Sequence, residues 1–401
     1  MDSALHADIA AAAEALASRL REWRRHLHAH PELSFGEVET QRYVREALLG
    51  QGLRPRPIAT TGLTAFVGQE GERCVALRAD LDALPIQEVA GRPYGSRHAG
   101  VMHACGHDVH TACAMGAAVI LDGLAGTLPL PVRVIFQPGE ERLPGGATHV
   151  IAEGGLTGPP VVAIAALHVA PDLPVGTVGT RSGAYMASSD EIYLRLGSPG
   201  GHGALPHETI DVVAAAAQVI TGLQQVVSRK APAHVPSVLS FGHVATEGGA
   251  TNVLPAAVEI AGTFRTYDET WRAEAREWID RIARGTAEAF GASVEVDVRA
   301  GYPALVNDAA CTAAVSEGLR GSLGAEAVRE LALRPTAEDF AWYLREVPGT
   351  FFRLGVGNEA RGITAGVHTP AFDIDEDALV IGARALATAA VSLGEAFRTE
   401  R

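Results

Sequence analysis

Val161-Val162-Ala163-Ile164-Ala165-Ala166-Leu167-His168 is the stretch on which the reading of the fold turns. Seven apolar residues run without a polar one between them and then meet a histidine. An antiparallel strand with one wet face would alternate, so an uninterrupted apolar run belongs in a parallel sheet covered on both faces. Shorter runs of the same kind occupy 75–79 and 132–136. Stretches with helical spacing lie at 8–28 and 37–49, and again at 309–320, 337–345 and 376–396. Strands alternating with helices predict an α/β sandwich.

From about 183 the texture changes. A strand at 190–196, a helix at 210–227, strands at 237–244 and 256–264, a helix at 270–289 and a strand at 292–298 follow in turn. That β-α-β-β-α-β order is a split, ferredoxin-like unit. The α/β pattern resumes after Ala300. The expectation is therefore a discontinuous first domain, 1–182 and 298–401, with 183–297 inserted. A chain of 401 residues also exceeds what one hydrophobic core usually serves.

Composition narrows the class. Hydrophobic content of 47% with 20% charged residues is that of a globular protein. A net charge of −14 with no basic stripe repels phosphate backbones, so no nucleic-acid partner is expected. No apolar run approaches the roughly 18 residues that cross a bilayer, so no membrane partner is expected either. The N-terminus carries Asp2, Asp8 and Glu14 without a basic leader, which points to the cytoplasm. Cys74, Cys105, Cys113 and Cys311 are too few and too scattered for a disulfide framework. Lys230 is the only lysine, which reads as genome composition and not as function.

The densest chemistry lies in Met102-His103-Ala104-Cys105-Gly106-His107-Asp108-Val109-His110, at the mouth of an expected helix. Thiolate and imidazole are good ligands for zinc and its neighbours. One such residue would suit a plain helix start, but this density favours a metal. Phe136-Gln137-Pro138-Gly139-Glu140-Glu141 puts adjacent carboxylates after an apolar strand, where an α/β sheet binds ligands; the plain alternative is a solvated acidic turn. Asp80 and Asp82 follow a second strand, and His168 follows a third. Singly these read as a helix cap and a core histidine, but their convergence on one sheet points to a site. His368, in Gly366-Val367-His368-Thr369-Pro370, can close it from the C-terminal segment.

The stretches Arg25 to Ser34, RADLDALPIQE, MHACGHDVHTA, FQPGEE, GGHGALPH, GATNVLP and HTPAFDIDEDAL together resemble the aminoacylase-like dinuclear metallopeptidases. The resemblance is to the amidohydrolase branch, that of hippurate hydrolase, bacterial N-acyl-amino-acid amidohydrolases and plant auxin-conjugate hydrolases. It implies a metallopeptidase-type α/β catalytic domain with an inserted ferredoxin-like lid and dimerisation domain, and a homodimer formed through that lid. It implies two divalent cations per chain, manganese, zinc, cobalt or nickel, with Cys105, His107, Glu141, His168 and His368 as ligands. Glu140 then resembles the general base and Asp82 the carboxylate that orients the site. Asp80 stands where other branches have a ligand histidine, a departure that the amidohydrolase branch shares. His103 and His110 are expected outside the ligand set.

The implied reaction is hydrolysis of the amide bond of an N-acyl amino acid or a related small conjugate, by water that metal and Glu140 activate. His202, in Gly200-Gly201-His202-Gly203-Ala204, is expected to steady the oxyanion, with a flexible surface turn as the alternative. Asn252 and Arg265 match the family's carboxylate-binding positions, although Arg265 also suits a strand-end surface. A dipeptidase or carboxypeptidase, a biosynthetic deacetylase and a catalytically silent metal-binding relative are the competing readings.

Overall fold

In the computed structural model, which describes residues 3–69 and 71–398, the strand Val161–Pro174 lies inside an eight-stranded sheet. The spatial order is Arg56–Ile58, Gly62–Val67, Val132–Gln137, Cys74–Asp80, Val161–Pro174, Gly349–Gly357, Val178–Thr180 and Val328–Glu330. The four middle strands are parallel, with Asp80 opposite Gln137, Arg78 opposite Ala166 and Arg353 opposite His168. Every residue of Cys74–Asp80, Val132–Gln137 and Gly349–Gly357 is buried, as expected of a sheet covered on both faces.

The covering helices supply the rest of this core. Leu20 and Leu27 of Ala17–Ala29, Ala112 and Met115 of His107–Gly123, and Leu379 and Leu386 of Ala378–Ala396 cluster with Val75, Leu77, Val134 and Leu167 of the sheet. Each fully buried leucine or valine contributes about 1.5–3 kcal/mol, so the sheet's middle is where the stability concentrates.

Three local expectations need correction. The helix anticipated over 8–28 is two, Ser3–Ala15 and Ala17–Ala29, because the Leu16 N–H bonds the Ala13 carbonyl three residues back and tightens the turn. The region 337–345 holds a 3₁₀ turn, Asp339–Trp342, and one helical turn, Tyr343–Glu346. The Asp339 carboxylate is drawn onto Arg78, Gln137 and the Ala147 N–H, which ties this segment to the sheet. Finally, Ala378–Ala396 is long and apolar enough to cross a membrane, the only such helix among the described residues. It carries Arg384 and Glu395, and 78% of its apolar window is buried in the protein, so it is a core helix here.

The chain divides into two compact units, one of Met1–Gly183, Val306–Ala332 and Asp339–Arg401, the other of Ala184–Leu305 with Leu333–Glu338. The second unit has a four-stranded antiparallel sheet in the order Ser237–Thr246, Ala257–Thr266, Asp190–Gly197 and Ser293–Ala300. With the helices Val212–Gln225 and Glu269–Ala289 this is the ferredoxin-like β-α-β-β-α-β arrangement. Burial alternates along Asp190–Gly197, and Ile192, Leu194 and Leu196 pack against Val219, Leu223, Ala275 and Ile279 of the helices. Asp211 and Asp268 cap these helices, accepting from Val213 N, Ala214 N and Trp271 N.

Candidate metal centre

Three neighbouring parallel strands and one helix start present the site. Gln137 ends a strand, and a turn through Gly139, at φ +60, brings up Glu140 and Glu141. Asp80 ends the next strand, and Asp82 follows it. His168 is not at a strand end as its sequence context suggested: Val161–Pro174 continues six residues past it. The histidine faces the site because its neighbour Cys74–Asp80 stops at that level. The helix His107–Gly123 begins after Gly106, at φ +83, where a Cβ would come within 2.6 Å of Val169 Cγ2; only glycine fits that turn. His368 arrives from the C-terminal segment in the left-handed region, at φ +61, and its N–H donates to the Ala104 carbonyl at 2.7 Å.

These elements gather four of the expected residues around one thiol. Cys105 Sγ is 3.4 Å from His168 Nε2 and 3.3 Å from His368 Nε2. His368 Nε2 is 3.3 Å from Glu141 Oε1, which is 3.9 Å from His107 Nε2. Cys105, His107 and His168 form one close donor group and Cys105, Glu141 and His368 another, each within 4.8 Å. Glu140 lies with His107 and Glu141 in a third.

Groups behind the centre fix each donor. Asp82 Oδ1 takes the Nδ1–H of His107 at 3.2 Å and the N–H of Glu140 at 3.0 Å, while Oδ2 takes the Glu141 N–H at 2.9 Å and the Ser34 hydroxyl at 2.6 Å. His168 Nδ1 donates to the Val169 carbonyl at 2.8 Å, which leaves its Nε2 lone pair toward Cys105. Two buried atoms, His107 Nε2 and Glu141 Oε1, make no hydrogen bond at all. An unpaired buried polar atom costs about 1–3 kcal/mol, and a cation removes that cost. The donor chemistry and these orphaned atoms fit divalent cations.

Electrostatics agree with a charge-bearing centre. Burial, and then the Glu141 carboxylate, push the Cys105 thiol up. Burial opposes protonation of His107, but Asp80 and the Asp82 hydrogen bond outweigh it and hold the ring protonated well above the usual range. The Cys105 sulfur, and then the Glu141 carboxylate 3.3 Å away, raise His368 to about 10. A cation that displaces these protons restores thiolate and neutral imidazole as ligands.

Asp80, His107 and His110 also stand close together, but that group is an ion-pair network. Asp80 Oδ1 accepts from His110 Nδ1 at 2.6 Å and Oδ2 from Arg78 Nη1 at 2.6 Å, so both oxygens are engaged. His110 Nε2 in turn accepts the Val169 N–H at 2.9 Å, which leaves no lone pair for a metal. His103 is buried with neither ring nitrogen hydrogen-bonded, and burial lowers it to about 4.

Sequence reasoning missed several supporting residues. Arg24 is fully buried and donates to Asp108 and Asp373, tying the start of His107–Gly123 to the segment that follows His368. His28 bridges Asp108 and Glu88. Arg24 and His28 lie five and one residues before the helix end at Ala29, and their only local signal was polar residues on a helix face that otherwise buries Leu20, Trp23 and Leu27.

His202, Asn252 and Arg265 belong to the second unit. His202 is exposed on the two-residue strand Gly201–His202, opposite Val253, and the Gly203 N–H donates to the Asn252 carbonyl at 2.7 Å, so His202 and Asn252 are neighbours. Arg265 is half-buried on Ala257–Thr266, with Nε donating to Thr263 Oγ1 at 3.1 Å.

Comparison with known proteins matches residues 76–392 to the model of peptidase family M20/M25/M40. N-acetylcysteine deacetylase of Bacillus subtilis is 40% identical over 388 residues, 96% of this chain and 99% of its own. N-acyl-L-amino acid amidohydrolase of Geobacillus stearothermophilus is 45% identical over 287 residues, 71% and 77% of the two chains. A Rhodococcus jostii protein with a glutamate–cysteine ligase name is 44% identical over 370 residues, and the match spans only 46% of its length. Among solved structures, the YXEP protein of Bacillus subtilis, a dinuclear metal-binding peptidase of the M20 family, superposes with a TM-score of 0.82 at 37% identity, covering 96% of this chain and 100% of that one. The chain belongs to peptidase family M20/M25/M40.

Proposed function

We propose that the protein hydrolyses the amide bond of N-acyl amino acids or related small conjugates with two divalent cations held by Cys105, His107, Glu141, His168 and His368. The observation that carries this reading is the pair of donor groups sharing Cys105, with His107 Nε2 and Glu141 Oε1 buried and unbonded between them. The names of the relatives, a deacetylase of N-acetylcysteine and an amidohydrolase of N-acyl-L-amino acids, support the substrate class.

Bound cations would polarise the scissile carbonyl and acidify water. Glu140 takes the proton from the attacking water on its carboxylate and delivers it to the leaving nitrogen. It is suited to both steps because it is nearly buried, beside Glu141, on a turn whose N–H groups Asp82 fixes. Asp82 keeps the proton of His107 on Nδ1 and so keeps Nε2 as the donor. His202 is assigned to the oxyanion, and Asn252 and Arg265 to the substrate carboxylate; their exposed or half-buried setting in the second unit supports this. The second unit is assigned the lid and dimerisation roles, since its edge strand Ser237–Thr246 pairs on one side only within its sheet.

The test is hydrolysis of hippurate, N-acetylcysteine, N-acetylmethionine, an indoleacetyl amino acid and a dipeptide by metal-free protein reloaded with manganese, zinc, cobalt or nickel. Metal-restored cleavage of an acyl amino acid is expected. Cleavage of the dipeptide alone would make the protein a peptidase, and failure to take up two ions per chain would overturn the dinuclear reading.

A further inference from the structure

We propose that Glu37 is a positioning residue for the turn that carries Glu140 and Glu141, through its grip on the Gly139 N–H; this rests on the hydrolase reading above. Three successive N–H groups, those of Gly139, Glu140 and Glu141, point at buried carboxylates. The last two go to Asp82, and the first goes to Glu37 Oε1 at 2.8 Å, from 102 residues away in sequence.

The placement of Glu37 argues against a merely local role. It occupies the residue before the helix Val38–Leu49, where a carboxylate would ordinarily cap the first N–H groups, yet its side chain makes no capping bond. Oε1 instead accepts from Phe35 N at 2.9 Å and from Gly139 N, and Oε2 accepts from the Thr61 hydroxyl at 2.6 Å. Glu37 is completely buried and has no ion-pair partner among the described residues, so amides and a hydroxyl alone compensate its charge.

Its neighbours press on the same turn. The Ser34 hydroxyl donates to Asp82 Oδ2 at 2.6 Å, and the Phe35 ring lies where a Cβ on Gly139 would stand, 2.5 Å from it. Residues 34–37 thus reach the turn three ways: through Asp82, through the ring on Gly139, and through the Gly139 N–H. Gly139 sits at φ +60 with its own carbonyl bonded to Gly146 N, so the direction in which Glu140 leaves the backbone depends on how this peptide is held. A displacement of about 1 Å at a reacting group can cost about 10²-fold in rate.

The experiment compares wild type, Glu37→Gln and Glu37→Ala as full-length metal-loaded protein. It measures metal per chain, kcat and KM on the best substrate of the panel, and amide hydrogen exchange over 137–145. For Glu37→Ala the expected result is about 10- to 100-fold lower kcat, KM within about threefold, unchanged metal content and exchange over 137–145 about tenfold faster. Glu37→Gln, whose carbonyl can still accept from Gly139, should recover most of both kcat and protection. Unchanged exchange in Glu37→Ala, unchanged kcat, faster exchange spread over the whole chain, or no rescue by glutamine would each overturn the proposal. If wild type cleaves nothing but the exchange contrast is present, the brace stands and the hydrolase reading falls.

Discussion

The Nδ1 of His107 lies 3.2 Å from Asp82 Oδ1, while the Nε2 of the same ring is buried without a hydrogen bond. One carboxylate therefore decides which nitrogen faces the centre, and the same carboxylate holds the backbone of Glu140 and Glu141.

Replacing Asp82 by asparagine should weaken divalent-cation binding about 10- to 100-fold, as loss of an orienting partner commonly does. Competition against a chelating dye measures it. Wild-type affinity in the variant would mean that the ring orients without Asp82.

Glu140→Gln keeps the size of the side chain and removes the proton acceptor. The expected outcome is a kcat lower by about 10²- to 10⁴-fold with the full metal content retained. If metal content falls in parallel with rate, Glu140 is a ligand and not the base.

Asp80→Ala tests the ion-pair network. Arg78 and His110 would each lose a 2.6 Å partner inside a fully buried region, with Arg78 still paired to Asp339. Because Arg78 keeps Asp339, the loss is that of buried hydrogen bonds left unmade, about 1–3 kcal/mol, so the urea midpoint should fall in metal-free protein as well as in loaded protein. A normal midpoint in the metal-free state, with loss of metal binding, would instead make Asp80 a ligand.

Glu88 gives a pH prediction. Burial raises its pKa, but hydrogen bonds from His28, the Ser96 N–H and Arg92 outweigh this and depress it from 4.5 to about 2. A depressed carboxylate stabilises the fold fully above about 4.5 and loses that contribution as pH falls toward 2. Glu88→Gln should therefore be less stable by about 1–3 kcal/mol at pH 7, with the gap to wild type closing between about pH 4.5 and 2. A gap independent of pH across that window would show that packing, not charge, is what the substitution removes.

The ferredoxin-like unit was legible because its helices and strands repeat at local periods, and every second residue of Asp190–Gly197 is buried. The wholly apolar strands revealed a parallel sheet for the same reason. The break at Leu16 and the turn Asp339–Trp342 were not legible: the first rests on one backbone bond, the second on Asp339 being drawn to Arg78 and Gln137 far away in sequence.

The chemistry divides along the same line. Residue types packed into short motifs, such as Cys105, His107 and the Glu140–Glu141 pair, announce metal and proton transfer whatever their surroundings, because those functional groups are rare together for any other purpose. Which atom of each is free is a long-range matter. Asp80 and Asp82 look equivalent as letters two apart, yet Arg78 and His110 occupy one, while His107 and two backbone N–H groups occupy the other. Glu37 reads as a helix start until the fold brings Gly139 beside it. Hydrogen bonds between residues many positions apart carry no local periodicity, and so it is the packed chain that assigns each donor and acceptor its partner.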